Sequence, residues 1–185
     1  MRNIVITVIL LALTVSVQAQ RRLHGQQGLQ WTIGRVDGFT KNTMHTGVAL
    51  SQFTKNSHQW TFGAEYLRKR LTYGKQLVPV EQITGEAGYY RTILSDRSKT
   101  FFISAGISGM AGYELINRGE ALLDDGSTIL SHNKFLWGGA ISFEIETYIT
   151  DGIILLTGFR QRVLPSSTVN KFHSQLSLGI KFIIN

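Results

Sequence analysis

The chain has 185 residues, 43% hydrophobic and 17% charged, with a formal net charge of +7, 19 glycines, two prolines and no cysteine. Without cysteine it has no disulfide framework, no thiolate metal centre and no lipoprotein anchor. The basic residues, among them Lys55, Arg68, Lys69, Arg70, Arg97, Lys99 and Lys171, are scattered over turns and strand ends, whereas a nucleic-acid groove wants clustered charge with interleaved aromatics, so no direct nucleic-acid contact is expected.

Arg2 leads an apolar run over residues 4–17 that ends in Val17-Gln18-Ala19. The run is short of the ~20 residues a spanning helix needs, and the small-x-small ending is that of a secretory signal peptide. Residues 1–19 are therefore expected to be removed, residues 20–27 to form a loose polar leader, and residues 28–185 to form one domain.

From there the chain alternates. Leu29, Trp31 and Ile33 oppose Gln30, Thr32 and Gly34 in a strand over 29–36, and Val48 and Leu50 oppose Gly47, Ala49 and Ser51 in a second over 45–53. Trp60, Phe62, Ala64 and Tyr66 oppose Thr61, Gly63 and Glu65 over 60–68. A fourth strand, 80–93, sets Ile83, Ala87 and Tyr89 against Gln82, Thr84, Glu86 and Gly88, and a fifth, 100–113, sets Phe101, Ile103, Ala105 and Ile107 against Ser104, Gly106, Ser108 and Gly112. The clearest stretch is 135–163. Phe135, Trp137, Ile141, Phe143 and Ile145 alternate with Ser142, Glu144 and Glu146, the turn Thr150-Asp151-Gly152 follows, and Ile153, Leu155, Thr157 and Phe159 resume against Gly158, Arg160 and Arg162. This is a hairpin of strands six and seven, for which an odd turn length would set Glu144 opposite Arg160 and Ser142 opposite Arg162. In the eighth strand Phe172, Leu176, Leu178, Ile180, Phe182 and Ile184 alternate with His173, Gln175, Ser177, Gly179 and Lys181.

Eight strands of period 2 make an all-β, antiparallel up-and-down barrel. Two barrels share that pattern: a soluble ligand-binding one with its greasy face inward, and one whose greasy face meets lipid. Connection lengths favour the second. The first, third, fifth and seventh are long and the others short, with aromatics such as Phe53, Trp60, Tyr66, Phe101, Tyr113, Phe135, Tyr148, Phe172 and Phe182 near strand ends, as expected of outer-membrane barrels. Glu65, Glu86, Glu144, Glu146, Arg160, Arg162 and Lys181 then face the lumen, where charges are tolerable only as hydrogen-bonded pairs. The loops 69–79 and 114–133 would face outside the cell and offer Lys69, Arg70, Tyr73, Lys75, Asn117, Arg118, Glu120, Asp124, Asp125 and His132 to partners.

Chemistry-bearing motifs are absent. The five histidines lack metal-ligand spacing, and no P-loop, nucleophile elbow or dinucleotide fingerprint occurs; no cofactor and no metal are expected. A rim hydrolase or acyltransferase built from His132 with Asp124 or Asp125 would need hydrogen-bond reach that loop spacing does not supply, so no catalytic residue is assigned.

Several segments resemble a known family. Residues 62–67 (FGAEYL), 85–90 (GEAGYY), 99–104 (KTFFIS), 111–114 (AGYE), 143–148 (FEIETY) and 178–185 (LGIKFIIN) are similar to the conjugative transposon protein TraO family of Bacteroidetes. The resemblance covers nearly all of the chain after residue 19. It implies a place in a type IV secretion-like apparatus that transfers an integrative element between cells, with other transfer proteins and outer-membrane lipid as partners, and it carries no catalytic residue with it. The oligomeric state is not legible in these patterns.

Overall fold

The computed structural model describes residues 22–38, 43–73, 76–117, 133–167 and 170–184, with the backbone alone at 71–73 and 76–77. Its strands are β1 (Gln27–Val36), β2 (Thr43–Phe53), β3 (Gln59–Tyr73), β4 (Gln76–Ser95), β5 (Phe101–Ile116), β6 (Lys134–Tyr148), β7 (Ile153–Val163) and β8 (Phe172–Ile183). Each pairs antiparallel with its sequence neighbour and β8 returns to β1, closing an eight-stranded barrel. Closure pairs each strand on both sides through the middle of the wall, where an open edge would expose unpaired backbone.

The wall is inverted relative to a soluble protein. Trp31, Ile33, Val48, Trp60, Phe62, Ile83, Ile107, Trp137, Ile141, Phe143, Phe159 and Leu178 lie exposed on the outside, while Gln30, Ser51, Glu65, Gln82, Ser104, Glu146, Arg162, Gln175 and Lys181 are buried inside. Both sets follow the alternation that period 2 dictates. Glycine makes the interior fit: a methyl group on Gly106 would collide with the ring of Tyr90, its register partner on the neighbouring strand β4.

Two apolar layers bracket the charged interior. Phe102, Tyr148, Ile154 and Leu156 pack together near the rim that holds the described termini and the short turns. Met110, Leu136, Ala140 and Leu164 pack nearer the other rim. Phe53 and Tyr148, expected in an outer aromatic girdle, are instead buried inside, because inward polar positions give way to ring packing where the barrel closes.

Three expectations are corrected. The β6–β7 register places Ser142 opposite Arg160, Ala140 opposite Arg162 and Glu144 opposite Gly158, two residues from the expected pairing, because Tyr148 pairs with Ile154 and the turn is centred on Asp151. The segment 69–79 is not a long loop: β3 and β4 continue as a hairpin, pairing Lys69 with Val80, Arg70 with Pro79 and Tyr73 with Gln76. The described part of the leader is not loose, since Arg22 is buried within the barrel and the Gly25 amide donates to the Phe53 carbonyl. Residues 1–21, including the expected signal peptide, lie outside the described residues.

Candidate functional site

The luminal charges form two clusters. In the first, β7 reaches across the barrel to β3 and β4. Arg162 Nη1 donates to Glu65 Oε1 at 2.7 Å, and Arg160 Nη1 donates to Glu86 Oε2 at 2.8 Å and Glu65 Oε2 at 3.3 Å. Arg160 also donates to Ser142 Oγ and the Tyr90 hydroxyl, each at 3.1 Å. Gln175 Nε2 donates to Glu65 Oε1 at 2.7 Å, and His45 Nδ1 lies 3.6 Å from Glu65 Oε2. Two guanidinium groups, each satisfied on several nitrogens, meet the demand that a buried charge be hydrogen-bonded as well as paired.

The second cluster lies nearer the rim with the termini. Lys181 Nζ donates to Glu146 Oε1 at 2.8 Å and to Gln59 Oε1 at 2.9 Å, while Gln59 Nε2 donates to Glu146 Oε1 at 3.0 Å. Arg22 pairs with the other oxygen of Glu146. Its guanidinium lies 3.9 Å from the Phe102 ring centroid and 4.9 Å from that of Phe53, a cation–π sandwich, and it donates to the Ser57 carbonyl at 2.9 Å. Of the seven luminal residues singled out by alternation, Glu65, Glu86, Arg160 and Arg162 thus meet in one cluster, and Glu146 and Lys181 in the other. Glu144 joins neither; its Oε2 is buried with no hydrogen-bond partner among the described residues.

A cavity of only about 30 Å³ remains beside the first cluster, lined by Gln30, His45, Glu86 and Glu144 among others. That is room for about two or three waters, at on the order of 10–15 Å³ each. As arranged, the luminal ion pairs can lock opposite walls together.

A third polar group closes the opposite rim. Asp37, in the bend after β1, accepts from Lys69 Nζ at 2.8 Å and from the Ser174 amide at 3.1 Å, and its carboxylate lies 2.9 Å from His173 Nδ1. Burial alone would raise its pKa, but the hydrogen bonds with Lys69 and His173 and their charges outweigh it and hold the carboxyl below its ordinary value. Lys69 is thereby tied to the rim. Arg70 is exposed on the outer face, Tyr73 ends β3, and Asn117 follows β5 with a φ of 50°. Lys75, Arg118, Glu120, Asp124, Asp125 and His132 lie outside the described residues.

Alternation placed His173 on the polar face of its strand without a role, and it assigned none to Arg22, Asp37, His45 or Gln59. Four of these five sit on or beside strands at inward or rim positions where a polar residue is unremarkable. Arg22 carried no signal at all, because its partner is 124 residues away.

Solved structures similar in fold share very little sequence with this chain. Neisserial surface protein A (NspA) superimposes with a TM-score of 0.60 at 12% identity, covering 85% of this chain and 97% of its own. The N-terminal β-barrel domain of Pseudomonas aeruginosa OprF gives 0.54 at 9% identity, covering 87% and 98%. Ail, the attachment invasion locus protein of Yersinia pestis, solved with the heparin analogue sucrose octasulfate, gives 0.53 at 11% identity, covering 86% and 97%. No curated protein matches the chain in sequence. The model of the family described as conjugative transposon protein TraO matches residues 17–184, and the chain belongs to that family.

Proposed function

We propose that this protein is an outer-membrane barrel that serves as a structural or docking component of the conjugative transfer apparatus, exported by a cleaved signal at residues 1–19. The observation that carries the reading is the inverted wall: an apolar belt outside a charged, packed lumen. Exposed Trp, Phe, Ile and Leu on every strand would be costly in water and are stabilising in lipid. A soluble ligand-binding barrel would need the opposite arrangement, with an apolar cavity inside.

The luminal ion pairs make the barrel a rigid, closed peg rather than a conduit. A transferred nucleoprotein cannot pass such a lumen, so a role in transfer is exercised through surfaces presented to other subunits. The β3–β4 hairpin, with Arg70, and the chain between β5 and β6 are the surfaces proposed for contact. The test is fractionation of cells that carry the transfer system, followed by gentle detergent extraction and pull-down of the tagged chain. Co-recovery of other transfer proteins from the outer membrane is the expected result; recovery as a free soluble monomer would overturn the reading.

A further inference from the structure

One part of the outer wall breaks the apolar rule. On the rim opposite the described termini, Leu176 of β8 faces Arg35 of β1, and Met44 of β2 faces Arg68 of β3, which faces Glu81 of β4. Arg70, two residues beyond Arg68, points the same way and is exposed. Directly beneath this row lie Ile33 and Leu178, themselves register partners and both exposed. Apart from Glu81, these residues line a groove of about 610 Å³ on the outside of the barrel.

The groove therefore has a greasy floor and a basic lip of three guanidinium groups. Among the described residues, the Glu81 carboxylate approaches that lip, 3.6 Å from Arg68 Nε. Elsewhere near this rim the outer face of β5 and β6 presents Tyr113, Phe135 and Trp137, with Tyr113 and Phe135 edge to face at 5.6 Å. The arginines that line the groove come from β1 and β3.

Cationic side chains on a lipid-facing wall are costly at the bilayer midplane and far less so near its surface. Arginine is therefore tolerated where its stem lies along apolar wall and its head reaches the headgroup layer. Its planar fork binds phosphate in two-point fashion. We propose that the groove lined by Ile33, Arg35, Met44, Arg68, Arg70 and Leu178 binds a phosphorylated lipid of the surrounding leaflet, with phosphate at the arginines and an acyl chain along the apolar floor. The proposal rests on the lipid-facing reading of the wall and adds a specific ligand class to it. A bound lipid would fix the height and rotation of the barrel in the membrane, and so the direction in which the β3–β4 hairpin is presented.

The test offers the purified protein, in dodecyl maltoside, mixed micelles doped with bisphosphorylated lipid A, with dephosphorylated lipid A, or with inorganic phosphate alone. Native mass spectrometry counts what stays bound. The wild type should retain the phosphorylated lipid, and R35Q/R68Q/R70Q should retain it at least about tenfold more weakly, because hydrogen bonds to charged groups of this kind are each worth about a decade in affinity. Arg91→Gln, on the outer face toward the other rim, should bind as wild type. Equal retention by the triple variant, equal retention of dephosphorylated lipid, or inorganic phosphate binding as tightly as the lipid would each overturn the proposal. Should the triple variant fail to fold, Arg70→Gln at an exposed position carries the same comparison. Because the lipid is supplied in micelles, failure here is distinct from failure of the cellular fractionation.

Discussion

Arg160 and Glu146 anchor ion-pair clusters built from the same residue types, but only the first retains contact with water. The Arg160 and Glu86 side chains keep 15% and 10% exposure, whereas Arg22, Glu146 and Lys181 keep none. The sealed cluster lies within reach of Phe53 and Phe102, whose rings face its cations. Desolvation makes the sealed cluster the less forgiving of the two: a lost partner there leaves a charge that no solvent can reach.

Glu146→Ala is expected to have the largest effect, because it strands both Arg22 and Lys181. Breaking a buried pair costs about 3–5 kcal/mol, to be read as a lower denaturant midpoint and loss of the heat-modifiable gel shift. Removing all three charges together, as R22M/E146L/K181M, should cost less than Glu146→Ala alone, since well-packed apolar replacements often match a buried ion cluster. A triple variant less stable than the single one would show that the charges stabilise rather than merely satisfy one another.

Arg160→Ala should cost less than Glu146→Ala, between the ~0–1 kcal/mol of an exposed pair and the ~3–5 kcal/mol of a buried one. Glu65 keeps Arg162 and Gln175, and the adjoining cavity lets water approach Glu86. Equal losses for Arg160→Ala and Glu146→Ala in the same denaturant titration would erase the distinction between the clusters.

The smallest effect is expected at the rim. Asp37 titrates below its ordinary value when folded, so the folded state binds protons there less readily than the unfolded chain. Its contribution is complete above the ordinary carboxylate pKa, near 4, and disappears as pH falls through the depressed folded value. Asp37→Asn should therefore lower stability by about 1 kcal/mol or less at neutral pH, and the difference from wild type should shrink on acidification. A gap that widens with acid would contradict the assignment.

The faces of the strands were legible because the outward wall and the lumen differ so sharply in polarity. Ile141, Phe143 and Ile145 against Ser142, Glu144 and Glu146 left little choice of which side is which. Register was less legible: two pairings of β6 with β7 keep every side chain on its proper face, and only backbone closure around Asp151 selects between them. The upper β3–β4 hairpin was misread for a related reason. Past the apolar belt both faces meet polar surroundings, alternation fades, and Lys69-Arg70 with Pro79 reads as a connection. Pro79 is tolerated there because, among the described residues, the β4–β5 pairing begins at Val80, so the strand is locally an edge. Arg22 shows the deeper limit, since one arginine in a polar leader cannot announce a carboxylate on β6.

The central claim is that the exposed apolar wall meets lipid, and the absence of native cysteine allows a direct test. Single cysteines at Trp137, Ile141, Phe143 and Ile145, spin-labelled in the membrane-reconstituted protein, should be readily relaxed by oxygen dissolved in the lipid and poorly by a water-soluble nickel chelate. High nickel accessibility at those four positions would place the wall in water and contradict the account.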